Sequence, residues 1–318
     1  MELAFHLLLL LIGFVLLVKG ADLLVHGASI LAGRLGISTL VVGLTVVALG
    51  TSMPELVVNV YSAMTGVSDI AVGNILGSNI VNIALILGLS AALYPLHVQR
   101  STVWKEIPFA LMAIVLVAVL ASDVALGGHA QNLLGHGDGL VLLAFAVIFL
   151  YYIFGLARSG ESPIVDTSKE KSWRLVMYVI LGMGLLVGGG KLAVDAAVMV
   201  AQFVGLSERV IGLTVVAIGT SLPELVTSLV AAYRKQPDLS VGNIVGSNIL
   251  NVFLVLGVSA TIQPLSFADG SFFDVGVAIL LTVLLFGFMF LGRRRVLERW
   301  QGLVFVAIYI IYTVSLLT

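Results

Sequence analysis

A chain of 318 residues that is 60% hydrophobic and only 10% charged is too apolar to be solvated as an ordinary globular domain. Its formal charge of −1, with no basic run interleaved with aromatics, excludes a polyanionic partner such as nucleic acid. The absence of cysteine excludes disulfides, thiolate metal sites and thiol nucleophiles. What remains is an all-α polytopic membrane protein.

The first 18 residues have the length of a signal peptide. Glu2 replaces the usual basic n-region, however, and Leu7 to Leu11 lead into further apolar sequence, so we read the stretch as a first span. At about 20 apolar residues per span, helices are expected near 3–33, 37–65, 69–93, 103–121, 138–157, 173–203, 207–234, 239–263, 272–291 and 297–317. The first and sixth are too long to stand upright in a ~30 Å hydrocarbon core and must tilt or project from it. In this ten-helix plan Arg34, Arg100, Lys105, Arg158, Lys169, Lys171, Arg174, Arg234, Lys235, Arg293, Arg294, Arg295 and Arg299 share one side, and only Arg209 falls on the other. The excess of positive charge assigns the first side to the cytoplasm and both termini to the outside.

The two halves repeat. An offset of 169 (224 − 55) carries Glu55 to Glu224, Gly43 to Gly212, Ser78 to Ser247, Asn82 to Asn251 and Pro95 to Pro264 without a gap. Five spans, an odd number, separate the copies, so the second enters the membrane from the opposite face. Inverted-topology repeats of this kind place a transporter's binding site near the bilayer midplane. The expected organisation is a five-helix repeat at 1–157, a cytoplasmic linker at 158–172 and a second five-helix repeat at 173–318.

Each repeat carries a carboxylate beside a proline in an apolar run, within Gly50-Thr51-Ser52-Met53-Pro54-Glu55 and Gly219-Thr220-Ser221-Leu222-Pro223-Glu224. An uncompensated Glu in hydrocarbon costs roughly 2.5 kcal/mol or more, so function is the default reading. Ala48, Thr51, Ser52 and Glu55 stand at i, i+3, i+4 and i+7, on one helix face. Pro54 cannot donate a hydrogen bond and is expected to free a carbonyl near Gly50, which a cation can occupy. In the next helix Asn74, Ser78 and Asn82 stand at i, i+4 and i+8, with Gly73 and Gly77 permitting close helix approach; Asn243, Ser247 and Asn251 repeat them. Together these groups form an all-oxygen set, which suits hard cations, Ca²⁺ better than Mg²⁺. Na⁺ has a similar radius and the same preference, and competition at one site would couple the two ions.

These motifs, with Gly73-Asn74-Ile75-Leu76-Gly77-Ser78-Asn79 and its copy, resemble the two α-repeats of the Na⁺/Ca²⁺ exchanger family within the cation/Ca²⁺ exchanger superfamily, in its prokaryotic form without a regulatory domain. The resemblance implies an alternating-access antiporter, not an enzyme and without a cofactor, in which the long first and sixth helices slide against a core of eight. It implies cation ligands at Glu55, Glu224, Thr51, Thr220, Ser52, Ser221, Ser78, Ser247 and Asn82, with the carbonyls of Ala48 and Ala217. Asn251, the repeat partner of Asn82, is Asp in some relatives, including potassium-dependent exchangers, which argues against K⁺ co-transport here. Retention of Thr51-Ser52 and Thr220-Ser221 favours Na⁺ over the H⁺ coupling of related exchangers. Ca²⁺ and Na⁺ are thus the expected partners, in a monomer within a prokaryotic inner membrane.

H⁺/Ca²⁺ antiport and a passive cation channel are the competing functions. A hydrolase built on Ser52 or Ser221 lacks an evident base. Asn74 and Asn243 are better suited to interhelical hydrogen bonds than to ligation, and Asn79 and Asn248 read as structural, off the ligand face. Lys19 with Asp22, and Lys191 with Asp195, read as intrahelical charge pairs. His6, His26, His97, His129 and His136 show no metal-ligand spacing.

Overall fold

The computed structural model describes residues 2–66, 68–127, 131–159, 170–204 and 217–317. Its helices are α1 (Glu2–Leu35), α2 (Thr39–Thr51 and Met53–Thr65), α3 (Ile70–Leu93), α4 (Thr102–Leu120), α5 (His136–Ser159), α6 (Ser172–Phe203), α7 (Ala217–Gly219 and Leu222–Tyr233), α8 (Pro237–Ile262), α9 (Asp269–Phe288) and α10 (Arg299–Leu317). Among the described residues, nine spans are long and apolar enough to cross a membrane when the two parts of α2 are taken as one. The expected start of α7 at 207–216, most of the linker, Arg209 and His129 lie outside the described residues.

Local sequence sets the ends of these helices. Gly36 and Gly66 adopt φ of 69° and 77°, the left-handed geometry that terminates α1 and α2. Ser38 caps the start of α2 by accepting from the Val41 N–H at 3.3 Å. α2 then bends by 47° between Thr51 and Met53. Ser52 (φ −85°, ψ 9°) sits at the bend, and Ser221 (φ −87°, ψ 7°) takes the same conformation in α7. Pro54 and Pro223 follow in the first turn of the next helical piece, where the missing N–H is not needed. The break therefore falls at the serines.

Two inner helices, α3 and α8, form the centre of the molecule, α8 being the most enclosed of the described spans. Both contain a stretch of π-helix, Val81–Leu87 in α3 and Asn251–Leu256 in α8, at positions related by the repeat. In the second half the expected close approach occurs: a Cβ on Gly246 would lie 2.8 Å from the Leu44 backbone. The positions equivalent to Leu44 and Leu40 in the other half, 213 and 209, lie outside the described residues, so the contact expected at Gly73 and Gly77 does too.

Buried apolar side chains separate into two clusters. The larger draws on α2 to α5 and α7 to α10 and contains no residue of α1 or α6. The smaller joins Leu17, Ala21, Leu24 and Val25 of α1 to Val179, Leu186 and Ala193 of α6 and to a few residues of α2, α7 and α8. α1 and α6 run antiparallel along a small-residue seam. A Cβ on Gly20 would stand 2.8 Å from the Gly182 carbonyl oxygen, and one on Gly13 would stand 2.7 Å from the Ala193 nitrogen.

Outside the helices, two short antiparallel strand pairs clip the halves together. β1 (Leu96–His97) pairs with β4 (Val296–Leu297), and β2 (Leu133–Leu134) pairs with β3 (Leu265–Ser266). β1 follows α3 and β3 follows α8, so the clips are related by the repeat and lie at opposite ends of the bundle.

Candidate functional site

The breaks in α2 and α7 deliver Thr51, Ser52, Glu55, Ser221 and Glu224 to the centre, where α3 and α8 supply Ser78, Asn82, Ser247 and Asn251; all nine are buried. The hydrogen bonds obey the inverted repeat. Ser52 Oγ donates to Glu224 Oε1 at 2.8 Å, and its counterpart Ser221 Oγ donates to Glu55 Oε1 at 3.3 Å. Each serine thus serves the carboxylate of the opposite half. Ser78 Oγ also donates to Glu55 Oε1 at 3.4 Å. Ser52 lies 3.0 Å from Ser247, and Ser221 lies 3.3 Å from Ser78.

The threonines are held from behind. Thr51 Oγ1 donates to Asn243 Oδ1 at 3.0 Å, and half-buried Thr220 donates to Asn74 Oδ1 at 3.3 Å. Asn74 and Asn243 thereby serve as supports for the threonines. They are anchored in turn by residues the sequence reading passed over: Asn74 Nδ2 donates to Asn59 Oδ1 at 2.6 Å, and Asn243 Nδ2 donates to Ser228 Oγ at 3.0 Å. Asn59 and Ser228 each stand four residues after a Glu, one helical turn along the same face, and the repeat offset relates them. That spacing was a usable signal.

Asn79 and Asn248 belong to the centre as well. Asn82 Nδ2 donates to Asn248 Oδ1 at 2.9 Å, and Asn251 Nδ2 donates to Asn79 Oδ1 at 3.3 Å. The Ala48 carbonyl, expected to be available, accepts from the Ser52 N–H at 3.0 Å, with the Thr51 hydroxyl oxygen 3.4 Å away. A regular i to i−4 bond across the break keeps it engaged. Ala217 begins the short helix before the break in α7, and its side chain is outside the described set.

Among the described residues, four buried oxygens at this centre have no hydrogen-bond donor: Glu55 Oε2, Glu224 Oε2, Asn82 Oδ1 and Asn251 Oδ1. They form two repeat-related pairs. Buried acceptors are nearly always satisfied, and leaving one bare costs about 1–3 kcal/mol, more for a charged group. Oxygens that only accept, gathered in a dry centre, are what a cation needs. Among the described residues no group of three or more His, Cys, Asp or Glu side chains could hold a metal, so a cation here would depend on hydroxyl, amide and backbone oxygens beside the two carboxylates.

Other charged groups lie outside this centre. Lys191 and Asp195 form the expected i, i+4 pair at 3.0 Å, exposed at the surface of α6. Asp22 differs from expectation: it pairs with Arg234 at the end of α7. Nearby, Ser29 of α1 donates to Gln236 Oε1 at 2.5 Å. His136 contacts the Thr261 carbonyl at 3.0 Å, far from the carboxylates in the fold.

The profile of the sodium/calcium exchanger protein family matches residues 5–155 and 174–318. The sodium/calcium exchanger MaX1 of Methanosarcina acetivorans is 33% identical over 98% of both chains. The inner membrane protein YrbG of Escherichia coli is 39% identical over 67% of this chain and 66% of its own. A solved structure of the sodium-calcium exchanger NCX_Mj, soaked with 10 mM Na⁺ and no Ca²⁺, superposes with a TM-score of 0.84 at 32% identity over 99% of each chain.

Proposed function

Because the chain belongs to the sodium/calcium exchanger family, with both halves matched, we propose that it is a secondary active antiporter exchanging Na⁺ for Ca²⁺ by alternating access at one central site. The observation that carries this reading is the set of four donor-free buried oxygens on Glu55, Glu224, Asn82 and Asn251. Two carboxylates balance the charge of one Ca²⁺. The hydroxyls of Ser52, Ser221, Ser78 and Ser247 and the amide oxygens extend the donor set toward the six to eight oxygens that Ca²⁺ prefers. Na⁺ accepts the same hard donors, so occupancy by one ion excludes the other, and that exclusion couples the two fluxes. Thr51 and Thr220, held by Asn243 and Asn74, line the same breaks, with the Ala48 and Ala217 carbonyls one turn before them.

Two features support alternating access over a passive pore. The inverted repeat supplies two near-equivalent arrangements of one chain. The pair α1 and α6 also forms, with a few residues of α2, α7 and α8, an apolar cluster separate from the main core. We place the protein in a prokaryotic inner membrane with both termini outside, following its basic loops.

The deciding experiment uses the purified protein in sealed vesicles. An outward Na⁺ gradient drives Ca²⁺ uptake at constant pH, while a pH gradient alone drives none. Uptake that follows only the pH gradient would transfer the protein to the proton-coupled exchangers, and uptake that neither gradient accelerates would make it a pore.

A further inference from the structure

The amide orientations at the centre are fixed by a relay that begins at the backbone. Asn248 Nδ2 donates to the Asn79 main-chain carbonyl at 3.4 Å, and Asn79 Nδ2 donates to the Asn248 carbonyl at 3.3 Å. A backbone carbonyl can only accept, so each of these amides must turn its NH₂ to the main chain and present its Oδ1 the other way. That Oδ1 meets the next amide, which must answer with a donor. Asn248 Oδ1 accepts from Asn82 Nδ2 at 2.9 Å, and Asn79 Oδ1 accepts from Asn251 Nδ2 at 3.3 Å.

Asn82 and Asn251 are then left with no choice. Their NH₂ groups are committed, and their Oδ1 atoms are the buried oxygens without donors. A flipped Asn82 would set oxygen against oxygen at Asn248 and turn its NH₂ toward the centre, where it would repel a cation. All four amides are buried, so a wrong orientation leaves a polar group unpaired and pays its full desolvation cost.

We infer that Asn79 and Asn248 are positioning residues. Asn248 on α8 orients Asn82 on α3, Asn79 on α3 orients Asn251 on α8, and each makes its partner's amide face the cation with oxygen alone. The inference rests on the reading of the centre as a cation site. It goes beyond that reading by giving two residues without a ligand role control over two ligand oxygens.

The test is a double-mutant cycle on the full-length protein, reading the Ca²⁺ dissociation constant by flow dialysis in Na⁺-free detergent solution. Asn82→Ala removes the oxygen, and Asn248→Leu removes the acceptor that orients it. Each weakens Ca²⁺ binding by about tenfold, the worth of roughly one hydrogen-bonding group. The Asn82→Ala/Asn248→Leu double variant is no weaker than Asn82→Ala alone, because Asn248 acts through Asn82.

Additive losses in the double variant would overturn the positioning role and leave packing as the explanation. If Asn248→Leu does not fold, as judged by its size-exclusion profile, the cycle of Asn79→Leu with Asn251→Ala asks the same question with the same two outcomes. Glu224→Gln is the control for the underlying reading. A folded Glu224→Gln protein that binds Ca²⁺ as the wild type does would dismiss the site itself, whereas lost binding there together with additive asparagine effects dismisses the relay alone.

Discussion

Ser52 and Ser221 each hydrogen-bond the glutamate of the other half, so neither carboxylate is served only by its own repeat. Glu55→Gln or Glu224→Gln removes one of the two charges that oppose Ca²⁺. We expect either change to abolish Na⁺-driven Ca²⁺ uptake while the protein remains inserted and monodisperse; wild-type transport rates in either would exclude the proposed site. Ser52→Ala takes away the 2.8 Å bond to Glu224. A buried hydrogen bond of this kind contributes about 0.5–1.5 kcal/mol, so the ion-free protein should unfold at a lower temperature, measured by thermal unfolding in detergent. Asn251→Asp exchanges a donor-free amide oxygen for a charged one. The added charge is expected to tighten divalent binding and change the Na⁺ or K⁺ dependence of exchange, which uptake assays with each cation in turn will read.

The spans, their order and the inverted repeat were legible in the sequence, because each span buries about 20 apolar residues and the copies align without a gap. Pro54 marked the break in α2. Proline tolerates the first turn of a new helix, so the bend falls before it, at Ser52, and the Ala48 carbonyl keeps its partner. Regular α-helical spacing placed Asn79 and Asn248 off the ligand face as structural residues, and their hydrogen bonds run to Asn251, Asn82 and each other's main chain. The strand clips, two residues each, are too short to leave an alternating pattern. The α1 and α6 seam yields a prediction at this scale. Gly20→Leu must displace the Gly182 backbone and Leu185, and overpacking of this kind costs about 1–3 kcal/mol. The variant is expected to melt earlier and, if α1 and α6 slide as proposed, to exchange Ca²⁺ more slowly.

Across the whole molecule, α1 is tied to the opposite half near one end by the Asp22–Arg234 ion pair and by Ser29 with Gln236. Intrahelical spacing had suggested Lys19 as the partner of Asp22; the actual partner is 212 residues away, a distance that no local pattern reports. If α1 slides during transport, this tie must open and close with each cycle. The chain has no cysteine, so Asp22→Cys with Arg234→Cys provides a unique thiol pair. Bridging it with a short bifunctional reagent is expected to stop Ca²⁺ exchange while Ca²⁺ binding persists. Continued exchange in fully bridged protein would show that α1 stays fixed to α7.

The crossed serines also constrain how the protein is made. During synthesis α2 reaches the membrane long before α7, so Glu55 must first reside in lipid with Ser78 of its own half as its hydrogen-bond donor and without Ser221. A truncated chain ending before residue 160 should therefore be retained by insertion chaperones or degraded, and co-expression of the second half should rescue it by bringing the missing hydroxyl and both strand clips. Pulse-chase labelling of the truncated chain, alone and with its complement, measures that dependence of the first half on the second.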